Sequence, residues 1–179
     1  MQDQRNQKAL KEMHPDLCLA QQWAYGPSGF NATNIQKEEE SADYGAFDFD
    51  LGSRRCKFRV GKVTPKKAGF FFTIWKRIGA GPIMPYDEAD PVDFFVFSVR
   101  APECFGQFIF PKAVLCEKGV LSKAGRGGKR AIRVYPPWVI ITNRQARNTQ
   151  SWQKDYFLEI PRDQPIDSFR VRNLFSQNV

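Results

Sequence analysis

The chain has 179 residues, of which 42% are apolar and 26% charged, and its formal net charge is +8. This length suits one domain with its own core, and 16 Phe and 4 Trp exclude a disordered chain. We therefore predict a single domain over residues 1–179 that folds without a partner, and the charge favours an anionic partner over a cationic one.

The N-terminal part begins with helical periodicity. Apolar residues spaced by three and four positions predict an amphipathic helix over residues 2–23, broken at Pro15. Residues 25–34 contain the residue types of a loop, and residues 35–40 predict a short acidic helical turn. The helical pattern ends there, because apolar and polar residues alternate from residue 44 onward.

The middle of the chain is rich in strand patterns. Alternation on both sides of a Gly-Ser turn predicts a β-hairpin over residues 44–63. The apolar run Phe70–Trp75 has the length and residue types of a buried strand. After a loop rich in Gly and Pro over residues 79–91, residues 92–99 and 106–110 predict a second hairpin.

The C-terminal part mixes helices with a strand. Residues 112–118 predict a short helix that ends at Gly119, and residues 122–128 a flexible basic loop. Residues 131–135 predict another strand, and residues 143–157 the last clear helix. The order of these elements predicts an α/β fold in which a mixed β-sheet with hairpins is flanked by helices.

The charges are segregated along the chain. Arg54–Arg77 and Lys118–Lys154 each contain nine Lys or Arg and no acid. The acidic residues cluster instead within residues 38–50 and 87–93. Basic segments that alternate with acidic ones predict a positive face on the folded protein, against the alternative of scattered, solvated Lys and Arg.

Metal and membrane roles have little support in the sequence. The four cysteines have no Cys-x-x-Cys spacing and His14 is the only histidine, so we expect no metal site and no cofactor. The first residues lack an apolar signal core, and no run approaches the roughly 18 apolar residues of a membrane span. We therefore expect a cytoplasmic protein with free thiols and no membrane partner.

Several segments resemble the MepB-like family of small bacterial proteins. The matching segments are Glu39–Ala46, Phe58–Lys67, Trp75–Arg77, Gly106–Lys112 and, from Gly128 to Gln153, a stretch that includes Tyr135-Pro136-Pro137-Trp138. The resemblance covers about residues 38–158 and leaves out the N-terminal helix region. Because members of that family resemble the restriction-endonuclease-like α/β group, it implies that fold and a DNA-related role, but no particular reaction.

A nuclease of that group needs an Asp at the start of one strand and an acid-x-Lys triplet on its neighbour, which together hold Mg²⁺ and support the attacking water. Asp93 and Lys112 fit this pattern if the strands of the second hairpin pair. The acid position of the triplet, however, is occupied by Phe110. Since only Glu40 and Asp90 could compensate, we predict no efficient cleavage of nucleic acid.

The first hairpin offers a rival arrangement of charges. There Asp48 and Asp50 lie on one predicted strand, with Arg59 and Lys62 on the other side of the turn. Cross-strand ion pairs of this kind are usually solvated and contribute under about 1 kcal/mol. We therefore interpret them as structural.

Basic residues with aromatic neighbours are the stronger functional signal, because Lys and Arg neutralise phosphates and aromatic rings stack on bases. The candidate nucleic-acid-binding residues are Arg59, Lys62, Lys66, Lys67, Lys76, Arg77, Lys129, Arg130 and Arg133. Core packing explains the Phe residues of the strands. For Trp138, which follows two prolines, core packing and ligand contact both stay open.

Three functions follow as hypotheses. The leading one is a non-catalytic nucleic-acid-binding protein, with DNA favoured, on a nuclease-like scaffold. The second is a divergent nuclease that uses Mg²⁺ with Glu40, Asp90, Asp93 and Lys112. The third is a protein that binds or sequesters a small aromatic ligand in a pocket at Tyr135 and Trp138. No feature of the sequence indicates an oligomeric state.

Overall fold

The computed structural model describes residues 13–177, and its central element is a six-stranded mixed sheet, called here the main sheet. In spatial order its strands, numbered along the chain, are β1 (Ala32–Lys37), β2 (Phe47–Leu51), β3 (Arg54–Val60), β8 (Phe94–Ala101), β9 (Cys104–Pro111) and β11 (Phe157–Glu159). Strands β3 and β8 pair in parallel and the other neighbours are antiparallel. The parallel pair requires a crossover, which residues 61–93 supply.

The crossover supplies two of the strands of a second, three-stranded sheet, called here the small sheet. Its strands are β4 (Lys62–Thr64), β5 (Lys67–Thr73) and β10 (Ala131–Val134), with β5 in the middle. A two-stranded ladder joins β6 (Trp75–Lys76) to β7 (Met84–Pro85). The small sheet takes strands from both basic segments of the sequence.

In the described part of the chain, residues 13–177, four α-helices cover the two sheets. They are α1 (Pro15–Ala20), followed by a π-helical turn over Gln21–Tyr25, α2 (Lys112–Glu117), α3 (Arg144–Gln153) and α4 (Ser168–Phe175). Side chains cap three of them: His14 Nδ1, Asn143 Oδ1 and Asp167 Oδ1 accept backbone N–H bonds of 3.1, 2.8 and 2.9 Å. Within residues 13–177, no helix is long and apolar enough to cross a membrane.

Two apolar clusters lie on opposite faces of the main sheet. Phe94 and Val96 of β8 belong to the cluster under α1 and α4, whereas Phe95 and Phe97 belong to the cluster under the small sheet. A strand that is buried on both faces needs a continuous apolar run, which explains the sequence of β8. β2 is buried on one face only, so its Phe residues alternate with Asp.

The mixed α/β prediction and both predicted hairpins are confirmed. The prediction of a helical turn over residues 35–40 is wrong, because Ala32–Lys37 forms β1 and pairs with β2. Pro15 is the first residue of α1, a position at which proline loses no hydrogen bond, and His14 before it is extended. Residues 2–12 of the predicted N-terminal helix lie outside the described residues.

Candidate nucleic-acid interface and the adjoining cleft

The small sheet brings together the two acid-free basic segments. Strands β4 and β5 come from the first segment and β10 from the second, and residues 51–86 and 118–154 contain no Asp or Glu. In the sheet register Phe71 pairs with Lys62 on one side and with Arg133 on the other. Its neighbours Phe70 and Phe72 are buried in the core, so Phe71 lies on the outer face. A row of cation, ring and cation therefore crosses that face.

Three partly exposed aromatic rings on this side of the molecule each lie next to the cation of a Lys or Arg side chain. Lys62 Nζ lies 4.3 Å from the centroid of the Tyr44 ring. The guanidinium carbon of Arg133 lies 5.7 Å from the Phe71 ring. Cation and π-face attract each other at these separations, so each ring is held beside a positive charge. The third pair is formed by Arg77 and Trp75, also at 5.7 Å.

Five basic residues form what we call the positive face. They are Lys62, Lys66, Lys67, Lys129 and Arg130, and all are exposed. Within residues 13–177 none of them forms a salt bridge. Their charges are therefore available to an external anion.

Other predicted binding residues have partners inside the protein. Lys76 pairs with the Asp90 carboxylate, and Arg77 Nε donates to Glu40 at 2.9 Å. Arg133 donates to the carbonyl oxygens of residues 67–69 and, at 2.9 Å, to the hydroxyl of Thr64. Arg133 thus holds the turn between β4 and β5. The ion pairs of Lys76 and Arg77 hold β6 and the residue after it, so these charges have fixed positions.

A cleft of about 720 Å³ opens beside the positive face, over the polar side of β2 and β3 that the small sheet does not cover. Trp75 lines it together with six acidic residues and four basic ones. The acids are Glu38, Glu39, Glu40, Asp48, Asp50 and Asp90, and the bases are Arg55, Lys57, Lys76 and Arg77. The cleft is therefore more acidic than its surroundings.

An ion-pair cluster lies at the base of the cleft. Asp48 and Lys57 are directly opposite in the β2–β3 register, and Lys57 Nζ lies 2.7 Å from the Asp48 carboxylate and 3.1 Å from Glu38. Arg59 donates hydrogen bonds to both Glu38 carboxylate oxygens, at 2.9 and 2.8 Å, and is only 2% exposed. Tyr86 adds its hydroxyl, 3.4 Å from Arg59 Nη2. The carboxylates of Glu38 and Asp48 are thus balanced by the positive charges of Lys57 and Arg59.

The two carboxyl groups of this cluster titrate far apart. Burial and the hydrogen bond to Glu38 raise the pKa of Asp48 to about 6. Burial alone would raise the pKa of Glu38, but its hydrogen bond to Asp48 and the charges of Arg59 and Lys57 lower it to about 2. Near neutral pH, Glu38 is therefore fully ionised, whereas Asp48 is close to its titration range.

The predicted nuclease residues meet only in part. Strands β8 and β9 pair as predicted, and Lys112 N donates to Asp93 O at 2.9 Å. The Asp93 carboxylate instead accepts the Arg55 N–H at 2.8 Å, and Lys112 Nζ donates to Asp90 O at 3.1 Å. Phe110 is fully buried in the core. Among residues 13–177, no three His, Cys, Asp or Glu side chains are arranged to hold a metal ion.

Tyr135 and Trp138, the predicted pocket residues, do not line the cleft. The Trp138 ring packs edge-on against Phe157 with centroids 5.5 Å apart. Gln150 of α3 binds two carbonyl oxygens of this loop, each at 3.0 Å. The Tyr135 ring lies so close to Gly69 that a Cβ there would be 2.6 Å away. Both rings therefore pack within the protein.

The residues that sequence reasoning missed are Glu38, Lys57 and Tyr86. Lys57 could have been found, because a two-residue turn at Gly52-Ser53 sets Asp48 opposite Lys57. Glu38 and Tyr86 come from outside the hairpin, and only the tertiary fold brings them to it.

The fold and the interface define a mixed α/β protein whose small sheet joins two basic segments. The chain belongs to the MepB-like family, whose model matches residues 38–159. A solved structure, the crystal structure of MepB, is similar to this chain with a TM-score of 0.70 and 35% sequence identity. The similarity covers 74% of this chain and 89% of that one. No curated protein matches the chain.

Proposed function

We propose that this protein binds nucleic acid, with DNA favoured, through the positive face, and that it does so without a cofactor and without catalysis. The observation that carries the proposal is the meeting of both acid-free segments in one small sheet. The restriction-endonuclease-like comparison and a cytoplasmic location stay predictions and are not needed for the argument.

Phosphate binding explains the arrangement better than solvation alone. Lys and Arg that serve only solubility are normally interspersed with acids, which lowers the local potential. The positive face instead holds five exposed cations without an ion pair among residues 13–177. Such a surface attracts a polyanion and releases its condensed counterions on binding.

The salt dependence of binding tests the proposal. If the positive face contacts the phosphates of a DNA duplex, the logarithm of the affinity falls linearly with the logarithm of the salt concentration, by about 0.9 per phosphate neutralised. The triple variant Lys62→Gln, Lys66→Gln, Lys67→Gln should weaken binding strongly and reduce that slope by up to about 3.

The matched control is Arg172→Gln. Arg172 is exposed on α4, which packs against the opposite face of the main sheet from the small sheet. It should leave both affinity and slope nearly unchanged. Absence of binding at low salt, or binding that does not depend on salt, would contradict the proposal.

A second candidate function, binding of a small aromatic ligand, is favoured by one observation. The cleft volume of about 720 Å³ lies within the range of ligand sites, and Trp75 and Tyr86 line it. A panel of small aromatic compounds tested by tryptophan fluorescence, with Trp75→Phe as the control, would detect this. Quenching that persists in Trp75→Phe, or none in the wild type, would exclude the cleft.

A further inference from the structure

We propose that the ligand of this surface is single-stranded nucleic acid, whose bases stack on the rings of Tyr44, Phe71 and Trp75. This inference rests on the proposed function and deepens it, since it names the class of nucleic acid. It depends on the rings beside the positive face, whereas the proposed function depends only on the charges of that face.

Two of the rings lie on consecutive strands, Phe71 in β5 and Trp75 at the start of β6. From residue 70 to residue 75 buried and partly exposed residues alternate, so that Phe71, Thr73 and Trp75 face away from the core occupied by Phe70 and Phe72. Four residues of extended chain place Phe71 and Trp75 about 13 Å apart. Two rings at this spacing, on strands that follow one another directly in the chain, can each meet a different base.

Tyr44 is held beside Phe71 by the loop that leads into β2. The Thr73 hydroxyl donates to Ser41 Oγ at 3.1 Å, which ties the loop to the small sheet. The Tyr44 and Phe71 rings are then 6.3 Å apart at their centroids. Tertiary contacts therefore position the Tyr44 ring, and it widens the surface on which bases can stack.

Each ring is paired with a cation, which is the combination that a nucleotide requires. Lys62, Arg133 and Arg77 lie 4.3, 5.7 and 5.7 Å from the rings of Tyr44, Phe71 and Trp75. A base that stacks on Tyr44 or Phe71 thus brings its phosphate close to a positive charge, whereas at Trp75 the charge of Arg77 is shared with Glu40. Cation–ring pairs also occur elsewhere, at Tyr86, Phe105 and Trp152. What distinguishes this surface is that three such pairs, with partly exposed rings, lie on or next to β5.

The preference for single strands follows because a duplex leaves no base face free to stack on a protein ring. In a duplex the π-faces of the bases are stacked on one another, and only their edges and the phosphates are accessible. A platform of rings can gain stacking energy only from bases that are unpaired. A surface that read duplex through phosphates alone would gain nothing from Tyr44, Phe71 and Trp75.

The test compares a 20-nucleotide poly-dT strand, the equivalent poly-rU strand and a DNA duplex of the same length by fluorescence anisotropy at several salt concentrations. We expect the single strands to bind more tightly than the duplex, with a slope of about −0.7 per phosphate against −0.9 for the duplex. The two single strands distinguish DNA from RNA as the source of the ligand.

The ring variants Tyr44→Leu, Phe71→Leu and Trp75→Leu keep apolar bulk but remove the π-face. Each should weaken single-strand binding roughly 5- to 150-fold, the range measured for loss of one stacked base, and leave duplex binding nearly unchanged. Phe169→Leu is the matched control, because Phe169 is 75% exposed on α4. It should leave single-strand affinity unchanged.

The outcomes separate this inference from the proposed function. Equal or tighter duplex binding, with single-strand affinity unaffected by the ring variants, would overturn the inference and leave nucleic-acid binding intact. No binding to any of the three probes would end both proposals. Should Phe71→Leu fail to fold, the quenching of Trp75 fluorescence by poly-dT, measured as the difference between wild type and Trp75→Leu, decides the same point.

Discussion

Arg59 belongs to the first basic segment, yet its side chain is buried and forms an ion pair with Glu38. Its guanidinium is 2% exposed and binds both oxygens of Glu38, and Nη1 also donates to Phe58 O at 2.8 Å. Removing one partner of a buried ion pair leaves the other charge without compensation, which costs more than the pair itself contributes. The role of Arg59 is thus to stabilise the fold rather than to contact phosphates.

The first prediction concerns this ion pair. Arg59→Gln should lower the free energy of unfolding by about 3 kcal/mol, because Glu38 then stays buried without its cation. Urea denaturation measures the change. Lys62→Gln, at an exposed residue, should alter stability by no more than about 0.5 kcal/mol. Equal effects of the two substitutions would show that the Arg59 pair is solvated.

The second prediction concerns Asp48, whose pKa of about 6 lies above its ordinary value of about 4. Between these values the folded protein binds more protons than the unfolded chain, so ionisation of Asp48 destabilises the fold as pH rises. The free energy of unfolding of the wild type, relative to Asp48→Asn, should therefore fall from pH 4 to pH 6 and then level off. Urea denaturation at each pH measures it, and a difference that rises with pH would contradict the assignment.

At the scale of elements, the passage from β3 to β4 moves the chain between the two sheets. Gly61 occupies this passage, and a Cβ there would lie 2.6 Å from the Phe72 ring and 2.9 Å from Phe70 Cβ. Its backbone N–H donates to Ser98 O at 2.9 Å, which anchors the crossing on β8. The small sheet can lie close over the main sheet because this residue has no side chain.

The third prediction follows from that contact. Gly61→Ala should destabilise the protein by about 1 to 3 kcal/mol, since the added methyl overpacks two buried rings. Gly52→Asn is a suitable comparison, because the turn residue Gly52 has a φ of 64° and open space around it, and Asn tolerates that conformation. Thermal or urea denaturation of both variants provides the check. A neutral Gly61→Ala would mean that the two sheets can separate slightly.

Local patterns predicted the elements that depend on near neighbours in sequence. Both hairpins follow from alternation and turn residues, and the turn of the first hairpin fixes the register that sets Asp48 against Lys57. β1 was missed because Asn34, at φ 49°, and a register shift interrupt its alternation. The spacing of Val171, Leu174 and Phe175 is a helical signal for α4 that went unused.

Contacts between distant segments were beyond prediction. Arg59 looks like any other basic residue of its segment, and its burial depends on Glu38, which reaches it from the end of β1. The exposure of Phe71 likewise depends on which face of β5 meets the core. The positive face was predicted as a charge pattern, but its location on one sheet required the pairing of β5 with β10.

At the scale of the whole molecule, charges of opposite sign occupy adjoining surfaces. The residues of the positive face lie on the strands of the small sheet or in the segments next to them, whereas the cleft is lined by more acids than bases. Trp75, which follows β5 by two residues, is itself a lining residue of the cleft. A nucleic acid on the positive face would thus be directed along the rings, because the acidic cleft repels its phosphates unless a cation intervenes.

Four of the six carboxylates that line the cleft, those of Glu38, Glu40, Asp48 and Asp90, pair with the protein's own Lys or Arg. Glu38 is bound by Arg59 and Lys57, and the Asp90 carboxylate by Lys76. Metal-assisted hydrolysis needs a cation held firmly between carboxylates, which lowers the pKa of a bound water and neutralises charge on the phosphate. A divalent cation would first have to displace these ion pairs.

The last prediction is therefore that the wild type does not cleave duplex, single-stranded DNA or RNA efficiently when Mg²⁺ or Mn²⁺ is supplied. The other two carboxylates proposed for such chemistry also have partners, because Glu40 pairs with Arg77 and Asp93 accepts the Arg55 N–H. The decisive comparison sets the wild type against Asp93→Ala, Lys112→Ala and Asp48→Asn in a cleavage assay with and without metal. Cleavage that requires metal and disappears in Asp93→Ala and Lys112→Ala would prove the prediction wrong. Loss in Asp48→Asn alone would also contradict it, and would place the reaction at the base of the cleft.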